Sequence, residues 1–289
     1  MAHYLIGSFN LLCQQTIAAP LSIQGAGIHL GVPAQVQLLP AAVNTGRRFL
    51  YNGIQIPASV QYAVPSHLCT TLRKDQQSLH TPEHLLAALQ GLAIDNLIID
   101  LIGPELPILD GSAKGWVEAI MNTGIVQQSQ APKFFQPSSV LFFSHQQRWL
   151  KITPAKTQKI TVEIDFPHPQ IGVKKSTFLL DKTSFIQQLA PARTFGFVND
   201  LAVLQKQGRA LGANLQNCLA YLPDKLHPQQ NLRFANEVLH HKALDLLGDL
   251  ALVNRRIMGH IEAYQPGHWL TQKALKQWLD EKEILRYNI

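Results

Sequence analysis

The chain has 289 residues, of which 46% are hydrophobic and 15% are charged, and its formal net charge at pH 7 is +6. This length and composition can supply the cores of two ordinary domains, and they exclude a disordered or low-complexity chain. The positive charge suits an anionic substrate, but no basic stripe with interleaved aromatic residues accompanies it, so nucleic-acid binding is not predicted.

The cysteines and the N-terminus indicate the compartment. Cys13, Cys69 and Cys218 are odd in number and far apart, which is typical of reduced thiols and not of a disulfide framework or a thiolate zinc site. Residues 1–13 lack a basic region before their short apolar run, so no signal peptide is predicted. No stretch is long enough to span a membrane. We therefore expect a cytoplasmic protein without stable membrane insertion.

The first half of the chain reads as strands followed by helices. Its predicted elements are, in order, a half-buried strand at 35–39, a helix at 81–92, a buried strand at 96–102 and a helix at 113–122. A Gln-rich, proline-flanked segment at 127–132 is then the best candidate for a linker. The first domain is accordingly predicted to span residues 1–128.

The second half, residues 133–289, shows the same succession and is predicted to be a second domain. Its elements are strands beginning near residue 134, an alternating strand at 159–166, a long helix at 234–254, a strand at 259–264 and a helix at 271–285. Both halves end in a helix, a strand and a helix. This parallel indicates a duplicated unit, although no sequence repeat proves it.

The first predicted helix begins with a candidate catalytic pair. Thr81 reads as its N-cap and Pro82 as its first-turn residue, which places Glu83 and His84 at the helix start. An imidazole ligand beside a carboxylate is what metal-assisted hydrolysis needs. The alternative is that both residues only decorate a helix N-terminus, where a Glu is favourable against the dipole.

The long helix carries four polar residues on one stripe of an otherwise apolar surface: Glu237, His241, Asp245 and Asp249. Residues four apart on a helix stack above one another, so His241 and Asp245 can offer a nitrogen and an oxygen to one cation. With His84 as the third ligand, this set leaves a tetrahedral zinc one open position, as catalytic zinc sites require.

His268 follows Pro266 and Gly267, so we predict that it lies on a turn before the last helix. A histidine there could act as a general acid or stabilise an oxyanion, with Asp249 holding its other ring nitrogen. Alone, it would more readily be read as a solvated loop histidine.

Several motifs together resemble the UDP-3-O-acyl-N-acetylglucosamine deacetylase family of lipid A biosynthesis, in the family's order and spacing from about Gln14 onward. They are Glu83-His84-Leu85, residues 91–96, residues 103–113, Ala192-Arg193-Thr194-Phe195-Gly196-Phe197, residues 241–249 and Gly267-His268. The resemblance implies an α+β fold of two domains with similar topology, each a sheet packed on helices, with the helices sandwiched between the two sheets. It also implies a Zn²⁺ amidase, with Fe²⁺ as the alternative metal in the cell, that removes acetate from a nucleotide-linked, acylated glucosamine.

The resemblance assigns a role to each matched position. His84, His241 and Asp245 would bind the metal, with Glu83 as general base. His268 would stabilise developing charge or protonate the leaving amine, oriented by Asp249. Thr194 would supply a hydroxyl to the oxyanion, and Lys242 and Phe195 would contact the substrate. The implied partner is a small nucleotide-sugar lipid, and we expect a monomer.

The chain departs from the family's pattern at three positions. Asn236 replaces a common acidic residue, which we expect to alter only surface charge. Ala213 stands where a second glycine often lines the fatty-acyl passage, so its methyl group is expected to narrow or shorten that passage. Gln265 replaces a basic residue near the diphosphate, which leaves the phosphate contacts of this chain open.

Two other functions compete with the deacetylase. His80-Thr81-Pro82-Glu83-His84 fits the H-x-x-E-H pattern of inverzincin peptidases, but both histidines must then share one helix, and Pro82 places His80 before the helix. A non-catalytic binding module would instead use the polar stripe as a buried network that joins two domains. Burying those charges without a cation would be costly, which favours the metal site.

Overall fold

The computed structural model describes residues 13–66 and 68–280. The end of the helix predicted at 271–285 lies outside these residues. Among the described residues, no helix combines the length and the apolar character needed to cross a bilayer.

The strands account for most of the regular structure. In chain order they are β1 (Gln15–Ile17), β2 (Leu21–Ala26), β3 (Pro33–Pro40), β4 (Arg47–Tyr51), β5 (Ile54–Pro57), β6 (Ala63–Val64), β7 (Thr71–Lys74), β8 (Gln77–His80), β9 (Leu97–Ile102), β10 (Ile125–Gln127), β11 (Phe134–Phe135), β12 (Leu141–His145), β13 (Arg148–Thr153), β14 (Lys159–Phe166), β15 (Gly172–Leu179), β16 (Phe195–Phe197), β17 (Leu219–Tyr221), β18 (Arg256–Ile257) and β19 (His260–Tyr264).

Six helices are interspersed among the strands of the described residues. They are α1 (Glu83–Gly91), α2 (Lys114–Thr123), the single turn α3 (Lys182–Ser184), α4 (Val198–Lys206), α5 (Glu237–Leu250) and α6 (His268–Asp280). Short 3₁₀ turns occupy Val60–Tyr62 and Ala251–Val253, and a π-helical turn occupies Phe185–Leu189.

Two five-stranded sheets share one topology. The first has the order β2-β3-β9-β4-β5 and the second has the order β12-β13-β19-β14-β15. The central strand of each sheet pairs antiparallel with the strand on one side and parallel with the strand on the other. The predicted duplication is therefore confirmed at the level of topology, and the α+β fold class is confirmed with it.

Alternation along the central strands builds the core. Phe49 of β4 lies opposite Ile99 of β9, and Ile160 of β14 lies opposite Ile261 of β19, with all four side chains fully buried. Because successive side chains of a strand point to opposite faces, this register buries one face of each sheet.

The helices connect the two sheets. Helix α1 is buried along its whole length and packs against α5, which in turn packs against β14 and β15. Helix α6 packs against α5 and against β12 and β13. Helix α2 packs against α1 and contacts β2 of the first sheet. The packing of α1 against α5 brings the start of α1 to the polar stripe of α5.

The segment predicted as a linker is firmly held. The backbone nitrogen of Gln14 donates to the carbonyl of Gln130 at 2.7 Å, and that of Gln128 donates to the carbonyl of Gln14 at 2.8 Å. The domain limits of 1–128 and 133–289 stay a prediction.

Three details of the helix ends differ from the sequence prediction. Thr81 is not the N-cap of α1, because it has a left-handed φ of 60° and its hydroxyl donates to Glu105 at 3.0 Å. The long helix is shorter than 234–254 and begins at Glu237, whose carboxylate accepts from the backbone nitrogen of Arg233 at 2.6 Å. His268 is the first residue of α6 and is buried, so its prediction as a turn residue before the helix was wrong.

Candidate metal centre and catalytic site

Three side chains from two helices converge as the sequence predicted. Nε2 of His241 lies 3.2 Å from Oδ1 of Asp245, and Nε2 of His84 lies 3.5 Å from the same oxygen. The two imidazole rings meet edge to face with centroids 5.0 Å apart. The three ligand atoms lie within 4.8 Å of one another, so one cation can reach all of them.

The protonation states of His241 and Asp245 suit a metal. Nδ1 of His241 donates to the carbonyl oxygen of Ala192 at 3.0 Å, which leaves the lone pair of Nε2 directed at the cluster. Burial lowers the pKa of His241 to about 4, so the ring is neutral at pH 7. Burial opposes ionisation of Asp245, but His241 and Lys242 outweigh it and hold the pKa of that carboxyl well below its usual range. Neutral imidazoles and an ionised carboxylate are the forms that bind divalent metals.

Lys242 stands beside this cluster. Its Nζ donates to Oδ2 of Asp245 at 3.0 Å, so Oδ1 of the same carboxylate faces the histidines. The lysine side chain is only 14% exposed. Because Nζ of Lys242 is held at Asp245, the predicted contact between Lys242 and the substrate requires a substrate group that comes close to Asp245.

Glu83 occupies the first residue of α1, one position before His84. It is buried, its Oε2 accepts from the backbone nitrogen of Thr70 at 3.2 Å, and its Oε1 lies 3.8 Å from Nε2 of His268. Burial raises the pKa of Glu83 to about 7, against the opposing effect of His268 and His84. A carboxyl group with a pKa near neutrality is suited to accept and release a proton.

His268 and Asp249 form the predicted pair. Nδ1 of His268 donates to Oδ2 of Asp249 at 2.8 Å. Burial lowers the pKa of His268, but the charge of Asp249 and its hydrogen bond, helped by Glu83 and Asp245, outweigh burial and raise it to about 9. The imidazole is therefore positively charged at pH 7, as a general acid or an oxyanion partner must be.

A cavity of about 340 Å³ is lined by Glu83, His84, His241, Asp245 and His268. Thr194 and Phe195 line it as well, and the Phe195 ring meets the His241 ring edge to face at 6.3 Å. Much of the cavity wall is apolar. Its apolar lining includes Val198, Leu201, Leu204, Ala210, Ala213, Leu215 and Cys218.

The fourth residue of the polar stripe has a different role. Glu237 is fully buried and accepts from Nε and Nη2 of Arg193 at 2.8 and 3.0 Å, and from the backbone nitrogen of Arg193 at 3.0 Å. This charged pair anchors the segment that carries Thr194 and Phe195 to the start of α5.

The geometry argues against the peptidase alternative. His80 lies at the end of strand β8, and its Nδ1 hydrogen-bonds to the hydroxyl of Thr71 at 2.9 Å. It is not one of the three clustered ligands. The H-x-x-E-H pattern needs both histidines on one helix, and here only His84 is helical.

Both hydrogen bonds of Gln265 go to backbone carbonyls. Its amide nitrogen donates to the backbone carbonyl of Asp165, and its backbone nitrogen donates to the carbonyl of Glu163. Gln265 does not line the cavity.

Sequence reasoning missed Thr70, which touches both Glu83 and Asp249. It also missed Glu105, whose carboxylate accepts from the backbone nitrogens of His29 and Leu30 at 2.8 and 2.7 Å. The second network positions His29 in the cavity wall. Thr70 belongs to no local pattern. Glu105 lies in the motif at 103–113, but its partners are distant in sequence.

Comparisons with known proteins identify the family. A family model described as UDP-3-O-acyl N-acetylglycosamine deacetylase matches residues 14–280. Proteins named UDP-3-O-acyl-N-acetylglucosamine deacetylase from Actinobacillus succinogenes and Pasteurella multocida are each 36% identical over 96% of the chain and 93% of their own length. One from Brucella melitensis biotype 1 is 37% identical over 93% of the chain and 96% of its own length. The chain therefore belongs to the UDP-3-O-acyl N-acetylglycosamine deacetylase family.

Proposed function

We propose that this chain is a metal-dependent hydrolase that removes acetate from UDP-3-O-acyl-N-acetylglucosamine, the committed step of lipid A biosynthesis, in the cytoplasm. The observation that carries the proposal is the convergence of His84, His241 and Asp245 with Glu83 and His268 in the wall of one largely apolar cavity. In a member of this family, that arrangement supplies a metal site, a base and an acid beside space for an acyl chain.

His84, His241 and Asp245 would hold the metal, which we take to be Zn²⁺ with Fe²⁺ as the alternative. The donor set fits, because two imidazole nitrogens and one carboxylate oxygen are buried within reach of one ion. When bound, a divalent metal acidifies water and polarises the carbonyl of the scissile amide.

Glu83 would take the proton from the attacking water. Its raised pKa lets it hold that proton at Oε1 after the attack and then release it. The backbone nitrogen of Thr70 holds Oε2, so the carboxylate presents its other oxygen toward His268 and the reacting groups.

His268 would stabilise negative charge on the substrate oxygen or protonate the departing amine through Nε2. Asp249 fixes the proton of the opposite nitrogen, so the cationic ring faces the site with a defined donor. Thr194 would donate its hydroxyl to the same oxyanion from the cavity wall.

Phe195 and Lys242 would bind the substrate outside the reacting amide. Phe195 packs edge to face on His241 and so can shield the sugar side of the site from water. The apolar part of the cavity would take the acyl chain, and the methyl group of Ala213 lies in its wall. We also propose that residues 1–128 contribute Glu83 and His84 while residues 133–289 contribute the other groups, so that a monomer holds a complete site between two domains.

The direct test is an assay of the purified chain with UDP-3-O-acyl-N-acetylglucosamine. We expect one acetate and one free amine per turnover, loss of turnover after chelation, and recovery on adding Zn²⁺. UDP-N-acetylglucosamine without the acyl chain is the matched control and should react far more slowly, because it leaves the apolar cavity empty. Equal rates with both substrates would contradict recognition of the acyl chain. Turnover that persists in the presence of chelator would contradict dependence on a metal.

A further inference from the structure

We propose that Thr70 is a positioning residue that holds the Asp249–His268 pair and Glu83 in one fixed arrangement. The test by turnover rests on the proposed function, but the hydrogen bonds of Thr70 do not depend on it.

Every polar group of Thr70 is used. Its backbone nitrogen donates to Oε2 of Glu83 at 3.2 Å, and its carbonyl accepts from the backbone nitrogen of Thr81 at 3.0 Å. Its hydroxyl donates to Oδ1 of Asp249 at 2.5 Å and accepts from Nε2 of Gln272 at 3.0 Å. One residue therefore joins the start of α1, the end of α5 and the first turns of α6.

The direction of the hydroxyl proton follows from these partners. Gln272 offers an N–H, so the Thr70 oxygen accepts there and its single proton goes to Asp249. Oδ1 of Asp249 is thereby engaged, and Oδ2 is the oxygen that receives Nδ1–H of His268. With both of its oxygens held, the carboxylate has a fixed orientation, and so has the imidazole bound to it.

Thr70 acts through these partners and not on the substrate. It is fully buried and does not line the cavity, whereas Glu83 and His268 do. Leaving Oδ1 of Asp249, a residue only 1% exposed, without its donor would cost free energy or let the side chain rotate. Either result would spoil the placement of His268 while leaving the surface that binds substrate unchanged.

The test compares Thr70→Val, which keeps the shape and removes the hydroxyl, with Thr70→Ser, which restores it. We expect Thr70→Val to lower kcat by about tenfold or more, the scale for losing a group that orients a catalytic side chain, with KM and metal content nearly unchanged. Thr70→Ser should recover most of the loss. Thr71→Val is the matched control, because this buried neighbour bonds to His80 outside the site, and its kcat should stay close to that of the parent chain.

A double-mutant cycle separates positioning from a general structural role. If Thr70 acts through Asp249, Thr70→Val should add little to the loss already caused by Asp249→Asn. A double variant whose fold loss in kcat equals the product of the two single losses would contradict the inference. If Thr70→Val fails to fold, Gln272→Leu provides a second test, because losing the Gln272 amide leaves the Thr70 hydroxyl free to rotate. Gln272→Leu should also lower kcat, and it should have little further effect on kcat in a chain that already carries Asp249→Asn.

A second measurement does not depend on turnover. The proton on Nδ1 of His268, bonded to Asp249, should give a strongly deshielded NMR signal that Thr70→Val shifts or broadens and Thr70→Ser and Thr71→Val retain. If the chain releases no acetate but this signal responds as expected, the proposed function fails and the role of Thr70 stands. If the chain is active and neither kcat nor the signal responds to Thr70→Val, the role of Thr70 is wrong and the function stands.

Discussion

Gly248 of α5 lies directly against the backbone carbonyl of Glu83, at the first residue of α1. A Cβ built at position 248 would come closer to that carbonyl oxygen than van der Waals contact permits. His84 is the next residue after Glu83 on α1. His241 and Asp245 lie within two turns of Gly248 on α5. The close approach of the two helix backbones therefore sets the spacing of the three candidate ligands.

Gly248→Ala should therefore push α1 away from α5. We expect a loss of roughly 1–3 kcal/mol in the free energy of unfolding, as for other overpacked cores, together with weaker metal binding. Gly115→Ala in α2 is the matched control, since its added carbon meets only the end of the Leu109 side chain, which can move. Denaturation and metal titration of both variants would measure this, and unchanged metal affinity in Gly248→Ala would show that the helix spacing does not govern the site.

Loss of a ligand should remove the metal and the activity together. His241→Ala and Asp245→Ala are expected to lose tightly bound metal, while His240→Ala should keep it, because His240 faces Gln188 and Phe234 and not the cluster. Metal analysis after dialysis at low free zinc would decide this. Full occupancy in either ligand variant would exclude that residue from the metal site.

Glu83→Gln should keep the metal and lose the chemistry. The amide keeps an oxygen to accept from the backbone nitrogen of Thr70, but it cannot accept a proton from water. We expect turnover to fall by about 10²-fold or more, the usual scale for a general base, at unchanged metal content. Activity within a few-fold of the parent chain would mean that another group is the base.

The plot of reaction rate against pH should be bell-shaped. Glu83 must be ionised, so the rate rises as pH increases through its pKa of about 7, and a bound cation moves this limb to lower pH. His268 must be protonated, so the rate falls as pH increases through its pKa of about 9. Steady-state rates from about pH 5 to pH 10 would trace both limbs.

Two variants assign the basic limb. Asp249→Asn removes the negative charge that raises the pKa of His268, so the limb should move to lower pH. His268→Gln should abolish the limb and retain the metal. A basic limb that is unchanged in both variants would belong to another group, and His268 would then only bind substrate.

Much of the site could be predicted because its patterns are local. The spacing of His241 and Asp245 depends only on the helical period, and Glu83 and His84 are adjacent, so both pairs follow from sequence. The pairing of His268 with Asp249 was also predicted, although His268 opens helix α6 and does not lie on a turn before it.

The failures involve contacts between distant residues. Thr81 looked like an N-cap, but its hydroxyl bonds to Glu105, 24 residues away, while its backbone turns into the left-handed region. Thr70 bonds to Asp249 and Gln272 across 179 and 202 residues, and no local spacing signals either contact. The sequence only hinted that the two sheets share one strand order, because two segments can adopt the same topology without a detectable sequence repeat.

The central claim is that one metal per chain, held by His84, His241 and Asp245, makes this protein an amide hydrolase. Titration of metal-free protein with Zn²⁺, while acetate release from UDP-3-O-acyl-N-acetylglucosamine is followed, tests this claim most directly. The account predicts that activity starts near zero, rises in proportion to added metal and stops rising at about one equivalent, as a single catalytic site requires. Full activity in the metal-free protein, or no acetate release at any metal concentration, would contradict it.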